Sequence, residues 1–399
     1  MEIGFIDYSK EERNKILSTL KLLGEQTALD ELGIGVLRDA YADILFPGIS
    51  TLQTRAKYFV LIPYLFESAS EMAEKGKLRN GQEMLQWLHF TEDKLVGILV
   101  RNSVPGTTGI IGSTALKQKR SVKMKPSAIY WSGLRTLGIL RNERLSLSAA
   151  CAATVQLAKK KCETELKKDG ESFDDPTAAN IGTTLFLPLQ PDYLLEKEIQ
   201  IELTVKEAEF LESCIGRSLM TRDSVLAFLI RNRIVCNSFE DIPVSILPSH
   251  LRRDYMLAYQ FSRFIYGAHV RYNVIYSNYT DERMVAEFHA WRKEFLQDVC
   301  DLGPILDRVP CNPHLESFCR SFLDTVNRND LNAMDDLIVN RELQVKGPRA
   351  KLRNPGEYQY DPDRPIHFYT LDFRFNRANV IIQDILSGLE AEQDVRCGK

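Results

Sequence analysis

The chain has 399 residues, of which 44 % are hydrophobic and 26 % are charged, and its formal net charge is -3 at pH 7. This composition is typical of a globular protein with a sizeable apolar core. Because the net charge is slightly negative, the molecule as a whole does not attract a polyanion, and only a local basic patch could do so. Eight scattered cysteines without a CxxC motif predict reduced thiols and a cytoplasmic protein.

The sequence offers no membrane anchor. The N-terminus carries acidic residues where a secretory signal peptide needs basic ones, so we expect no signal peptide. The longest uncharged apolar stretch is YFVLIPYLF at residues 58–66. It is too short to cross a bilayer, which takes about 20 residues.

Apolar residues recur at helical spacing along most of the chain, whereas the alternation that is typical of strands is scarce. We predict a mostly α, multi-helix globular protein with few short strands. One helix should begin at a Ser50–Gln53 capping box and run to about Glu74, with a kink at Pro63. The other predicted helices lie at about residues 9–23, 34–46, 82–100, 126–139, 145–168 and 204–215, after Thr221, after Pro248, around Trp291, at 313–340 and at 377–389.

Residues 169–192 hold three prolines, two glycines and four aspartates, which is typical of a linker or a long loop. We therefore predict two helical domains, an N-terminal one at residues 1–168 and a C-terminal one at residues 193–399.

The strongest candidate for a functional surface is the basic segment, which we define as residues 117–125. Phosphate contacts require Lys or Arg and little else, so this pattern favours DNA or an acidic protein partner. The alternative is a solvated charged face that only helps solubility. The cations of the segment, with three that follow it, are Lys117, Lys119, Arg120, Lys123, Lys125, Arg135, Arg141 and Arg144.

A glycine-rich turn precedes the basic segment, with Gly106, Gly109 and Gly112 in PGTTGIIG. A P-loop needs Lys directly after its last glycine, and a dinucleotide site needs GxGxxG, but neither pattern is present. We interpret the stretch as a turn in which glycine supplies a positive φ. Tyr130 and Trp131 follow the segment, and we expect them in the core rather than on a surface that stacks bases.

Two other stretches are candidates for binding. Residues 250–279 alternate aromatic side chains with arginines, which suits either a groove for single-stranded nucleic acid or an amphipathic core helix. We favour the core helix. Residues 345–360 form a second and weaker basic candidate, interrupted by prolines.

Catalysis has no signature in the sequence. No GxSxG, HExxH or HxK motif occurs, and six scattered histidines define no triad. The acidic pair Asp335–Asp336 would suit a magnesium ion, although such pairs are usually solvated. We therefore expect no cofactor and no enzymatic activity. A set that would suit zinc, but in which only one pair is closely spaced, is Cys300, Cys311, His314 and Cys319.

A family resemblance rests on three segments. They are GFIDYSKEERNKIL, DELGIGVLRDAYADILFPGISTLQTRAKYFVLIPYLF and GIIGSTALKQKRSVKMKPSAIYWSGLRTLGI. Together they resemble a bacterial family of unknown function whose members lie in genomic defence islands, near large helicases and phospholipase D-like nucleases. The resemblance implies an anti-phage role in a Druantia- or DISARM-like system, with a helicase or another defence subunit as partner. It implies no catalytic residue.

These observations lead to one main hypothesis and two alternatives. The main one is an accessory, non-enzymatic subunit of a defence system that contacts DNA or a helicase through the basic segment. The first alternative is a metal-dependent nuclease whose site the sequence does not reveal. The second is a purely structural adaptor between proteins.

Overall fold

The computed structural model describes residues 30–118, 120, 122–168, 184–189 and 199–397. Within these ranges the chain forms fourteen α-helices and three short 3-10 helices, and its only β-pairing is a bridge between Leu140 and Phe186. The predicted mostly α fold is confirmed. The helix predicted at residues 9–23 lies outside the described residues. No helix in the described ranges is long and apolar enough to cross a membrane.

The chain divides into two compact units that alternate along the sequence. Unit 1 consists of Met1–Tyr41 and Arg253–Phe373, and unit 2 of Ala42–Arg252 and Arg374–Lys399. Most of the predicted linker at residues 169–192 lies outside the described ranges, so the division into domains at that point stays a prediction.

The helices of unit 2 include the C-terminal helix. Helix α1 begins in unit 1 and ends in unit 2. Seven further α-helices follow it as far as residue 231, and the C-terminal helix completes the set. They are α1 (Gly35–Leu45), α2 (Tyr58–Glu74), α3 (Gly81–Asn102), α4 (Ser113–Lys117), α5 (Pro126–Thr136), α6 (Leu147–Lys168), α7 (Val205–Arg217), α8 (Val225–Arg231) and α14 (Phe375–Cys397).

Helix α2 forms the centre of unit 2. It buries nine of its seventeen residues and packs against α5 and α6, while α6 also packs against α3. Helix α14 packs against α7 and α8. The capping box predicted at Thr204 and Glu207 is confirmed, and it starts α7.

The start predicted for α2 at Ser50 was wrong, because the helix begins only at Tyr58. The side chain of Gln53 closes a turn instead: its Oε1 accepts from the Ser50 N–H and its Nε2 donates to the Gly48 carbonyl. The next two N–H groups, of Thr54 and Arg55, donate to the Tyr130 hydroxyl at 2.8 and 3.0 Å. These tertiary partners replace the helical ones.

Unit 1 contains a long aromatic helix and four shorter ones. They are α9 (Ser249–Tyr276), which starts in unit 2, α10 (Glu282–Phe295), α11 (Leu302–Asp307), α12 (Pro313–Arg328) and α13 (Leu331–Lys346).

The aromatic residues of α9 belong mainly to the core, as we favoured from the sequence. Tyr255 and Tyr272 are buried, and the Phe264 ring contacts Phe295 of α10 and Phe322 of α12. These contacts leave little of the helix for stacking on bases.

Candidate polyanion interface

The basic segment lies in unit 2 between α4 and α5. Lys117 ends α4, and the Arg120 N–H donates to the Ala115 carbonyl at 2.9 Å, which continues the turn beyond the helix. Lys117, Arg120 and Lys123 are all exposed, and no carboxylate among the described residues pairs with them. We call these residues the three exposed cations. Lys119 lies outside the described residues.

A close contact between Gly112 and Val122 closes the loop that carries the segment. Gly112 has φ +91, and a Cβ there would lie 2.3 Å from Val122 Cγ2 and 3.2 Å from Val96 Cγ2. Only glycine therefore fits between Val122 and Val96 of α3 at this point of the loop. Lys117 and Arg120 are presented by this loop, and Lys123 follows it directly.

Lys125 serves the structure rather than the surface. Its Nζ lies 2.6 Å from Asp93 Oδ1 of α3, and its side chain is only 13 % exposed. It also occupies the position before α5, which begins with Pro126, as the sequence predicted. An ion pair here holds the end of the basic segment to α3.

Glu92, next to Asp93, fixes the first turn of α5. Its two carboxylate oxygens accept from the Ser127 N–H at 2.5 Å and from the Ser127 hydroxyl at 3.1 Å. Burial raises the pKa of Glu92 to about 7, although the hydrogen bonds from Ser127 act in the opposite direction. A carboxylate at this position also meets the positive end of the helix dipole.

The glycine-rich turn docks on the segment that precedes α2, and its interpretation as a turn is confirmed. Gly106, Gly109 and Gly112 have φ values of +94, +83 and +91. The Gly109 carbonyl accepts from the Thr54 hydroxyl at 2.6 Å, and the Ile111 N–H donates to the Tyr58 hydroxyl at 2.9 Å.

Tyr130 and Trp131 are buried, as expected. The Tyr130 hydroxyl donates to the Arg55 carbonyl, and the Trp131 indole N–H donates to the Leu145 carbonyl at 2.9 Å. Neither ring is available to a base. Any nucleic acid at this surface would therefore be contacted through its phosphates.

The three arginines that follow the segment lie at the far end of α5. The helix has eleven residues, so its ends are about 15 Å apart. Arg135 donates to the Glu143 carbonyl and Arg141 to the Phe186 carbonyl, both at 3.4 Å, while Arg144 is exposed. The seven described cations of this set thus form two groups rather than one patch.

The comparisons with known proteins identify a family. The model of the family described as "Family of unknown function (DUF6361)" matches residues 1–299. The chain belongs to this family. No curated protein and no solved structure matches the chain. Because the function of the DUF6361 family is unknown, membership assigns no activity to this chain.

The metal candidates do not assemble in this DUF6361 member. Nowhere in the described ranges do three His, Cys, Asp or Glu residues lie together as metal ligands would. Burial raises the pKa of the Cys300 and Cys319 thiols to about 11 and 12, so both are protonated at neutral pH in the metal-free protein. Asp335 is already paired with Arg271, at 2.6 and 2.7 Å.

The second basic candidate, at residues 345–360, lies in unit 1 and is partly neutralised. Lys351 Nζ lies 2.9 Å and Lys346 Nζ 3.9 Å from Glu31 Oε1. Arg349 and Arg353 are its other cations.

Sequence reasoning missed the two acids that hold the basic segment. Glu92 lies four residues after Leu88 and three before Leu95, so it stands in the buried stripe of α3. An acid at an apolar position of a helix is a signal that could have revealed it. Asp93 gives no such signal.

Proposed function

We propose that this protein is an accessory subunit of a bacterial anti-phage defence system, and that the three exposed cations contact DNA. The defence role is supported by the family resemblance of its sequence. The DNA contact is supported by one observation, the exposure of Lys117, Arg120 and Lys123 without carboxylate partners in the described part of the chain. Lysine and arginine side chains on a loop suit phosphates, which need no fixed sequence.

A second candidate is an acidic surface of a helicase or another defence subunit. Leu116 and Met124 stand beside the cations and are 43 % and 50 % exposed. Apolar side chains next to cations suit a protein surface better than a phosphate backbone. The two candidates therefore differ in whether they use Leu116 and Met124.

The first experiment measures DNA binding. A fluorescent duplex of about 20 base pairs is titrated with the protein between about 50 and 200 mM salt, and the logarithm of the association constant is plotted against that of the salt concentration. The slope of this plot is negative, and the variant Lys117→Glu/Arg120→Glu/Lys123→Glu should make it less steep by about 2.7, because each phosphate contact contributes about 0.9. An unchanged slope would remove the DNA contact from this surface.

A matched control separates local from overall charge. Lys75→Glu/Arg217→Glu/Arg222→Glu changes the net charge equally at exposed cations of unit 2 outside the segment. It should keep the parental slope.

A further double variant distinguishes DNA from protein. Leu116→Ser/Met124→Ser should leave DNA binding unchanged, since phosphates do not use these side chains. If the same variant loses a co-purifying helicase that the parent retains, the surface is used for a protein partner.

A further inference from the structure

Unit 1 contains three side chains that form a continuous hydrogen-bonded chain from the surface to the interior. The Tyr369 hydroxyl lies 3.1 Å from His367 Nδ1, and His367 Nε2 lies 2.8 Å from Glu31 Oε2. Tyr369 is 55 % exposed, whereas Glu31 is buried. The order is therefore an exposed hydroxyl, an imidazole and a buried carboxyl.

The proton positions follow from Glu31. Burial acts to raise its pKa, but the hydrogen bonds and charges of His367 and Lys351 outweigh burial and hold the pKa well below its usual range. An ionised carboxylate can only accept, so His367 Nε2 carries a hydrogen. When the imidazole is neutral, which is the form that can act as a base, Nδ1 is the acceptor and the Tyr369 hydroxyl can donate to it.

The backbone holds His367 in a strained conformation. Its φ is +48, in the left-handed region that most side chains avoid, although histidine enters it more often than most residues other than glycine. The buried Asn273 fixes the preceding residue on both sides, because it donates to the Ile366 carbonyl at 2.7 Å and accepts from the Ile366 N–H at 2.8 Å. Strain that the surroundings enforce is typical of functional sites.

His269 forms the floor of this group. It lies one helical turn before Asn273 on α9, and the centroid of its ring is 5.1 Å from that of His367. It is buried, and within the described residues neither ring nitrogen has a hydrogen-bond partner. Burial lowers the pKa of His269 to about 3, so its ring is neutral at neutral pH and places no positive charge beside His367.

Tyr369 needs a base to react. Burial raises its pKa, while the positive charge of Arg38 acts in the opposite direction. The hydroxyl is therefore protonated at neutral pH. The charges of Asp30, Asp372 and Glu31 also raise its pKa, and Arg38 is the cation whose charge opposes them. A hydroxyl next to a histidine that a carboxylate orients is the arrangement of an activated nucleophile.

We propose that Tyr369 is a nucleophile for phosphoryl groups, with His367 as its general base and Glu31 as the residue that positions His367. The Tyr369 oxygen forms a bond to phosphorus, and the bond from phosphorus to the leaving oxygen breaks. The phenolic proton passes to His367 Nδ1 and then to the leaving oxygen. The product is a phosphotyrosyl protein and a free hydroxyl, without any redox change.

This site goes beyond the proposed accessory role and shares no residue with the basic segment, so either proposal can fail without the other. It differs from the main hypothesis drawn from the sequence, a non-enzymatic subunit. No local sequence motif reveals this site, because Glu31 and His367 are 336 residues apart.

The test uses an electrophile at phosphorus and the full chain. An alkyl fluorophosphonate bearing biotin loses fluoride when a hydroxyl attacks it, and peptide mass spectrometry gives the labelled fraction of each tyrosine over time. Tyr279 is the internal control: it is 52 % exposed, but its hydroxyl donates to the Asp335 carboxylate at 2.5 Å instead of to a histidine. We expect Tyr369 to be labelled at least tenfold faster than Tyr279.

Two variants test the role of His367. His367→Asn tolerates the left-handed backbone but removes the base, and should slow the labelling of Tyr369 at least tenfold while that of Tyr279 stays unchanged. Glu31→Gln should slow it less, because the imidazole remains. Equal labelling of the two tyrosines in the parent protein would overturn the proposal without any variant, as would parental labelling of Tyr369 in folded His367→Asn.

Discussion

Lys125 and Asp93 form an ion pair of 2.6 Å at the point where α5 begins. The pair places Lys125 among the residues that hold the basic segment, together with Glu92, which accepts from Ser127. Lys123, two residues earlier, is exposed. Neighbouring lysines of one charged run therefore have different roles, one in the stability of the loop and one on its surface.

Substitutions to glutamine should separate these two roles. Lys125→Gln should lower the free energy of unfolding by about 1 kcal/mol, the upper range for a partly exposed pair, and leave the salt dependence of DNA binding unchanged. Lys123→Gln should change stability by less than about 0.5 kcal/mol and make the negative salt slope less steep by about 0.9. Urea denaturation and duplex titration measure the two quantities. If Lys125→Gln reduced the steepness of the salt slope as much as Lys123→Gln, the pair with Asp93 would not persist in solution.

Glu92 should make the stability of the protein depend on pH. Its pKa rises from an ordinary 4.5 to about 7 on folding, so between these values the folded chain binds more protons than the unfolded chain. The free energy of unfolding should therefore fall as the pH rises through this window. The Glu92→Gln variant cannot ionise at this position. Between about pH 5 and 8 its free energy of unfolding should therefore fall by on the order of 3 kcal/mol less than that of the parent.

The measurement is urea denaturation at several pH values across the same window. Glu163→Gln, at an exposed acid on α6, is the control and should follow the parent curve. Parallel curves for Glu92→Gln and the parent would mean that Glu92 is not protonated in the folded protein.

The fold could be predicted because helices are encoded locally. The Thr204–Glu207 capping box and the apolar spacing of α1 each lie within a few residues of sequence, and both agree with the structure. The start of α2 could not be predicted. The groups that replace its first helical turn include the Tyr130 hydroxyl, 76 residues away from Thr54, and sequence spacing carries no information about such a partner.

The candidate sites divide in the same way. The exposure of the three cations follows from the density of charge in the basic segment, which no core can accommodate. The ion pair that removes Lys125 from this surface depends on how α3 packs near the start of α5. The contact of Glu31 with His367 depends on the folding of the whole of unit 1, so a search for motifs finds neither residue.

A buried ion pair in unit 2 gives a third prediction. Lys57 Nζ lies 2.7 Å from Glu207 Oε2, and both side chains are only 1 % exposed. Lys57→Met would leave the carboxylate buried without its counter-charge, and should lower the free energy of unfolding by about 3–5 kcal/mol. Urea denaturation measures the loss.

The double variant Lys57→Met/Glu207→Gln tests whether the loss comes from charge. The new side-chain amide could still accept from the Thr204 N–H, as the Glu207 carboxylate does, and keep the capping box, but it carries no charge to desolvate. The double variant should be more stable than Lys57→Met alone. A loss equal to the sum of the losses measured for Lys57→Met and Glu207→Gln separately would show that the two side chains are not coupled.

The docking of the glycine-rich turn gives a last prediction, in which two glycines of one turn serve as test and control. Gly109 and Gly106 both have positive φ, but only at Gly109 would a Cβ meet another side chain, at 2.8 Å from Arg55 Cγ. Arg55 cannot easily move, because its Nε donates to both oxygens of Asp384 at 3.0 Å. Gly106→Ala should cost about 1 kcal/mol for the backbone alone, and Gly109→Ala about 1–3 kcal/mol more. Equal losses of unfolding free energy in urea would mean that the turn does not rest on Arg55.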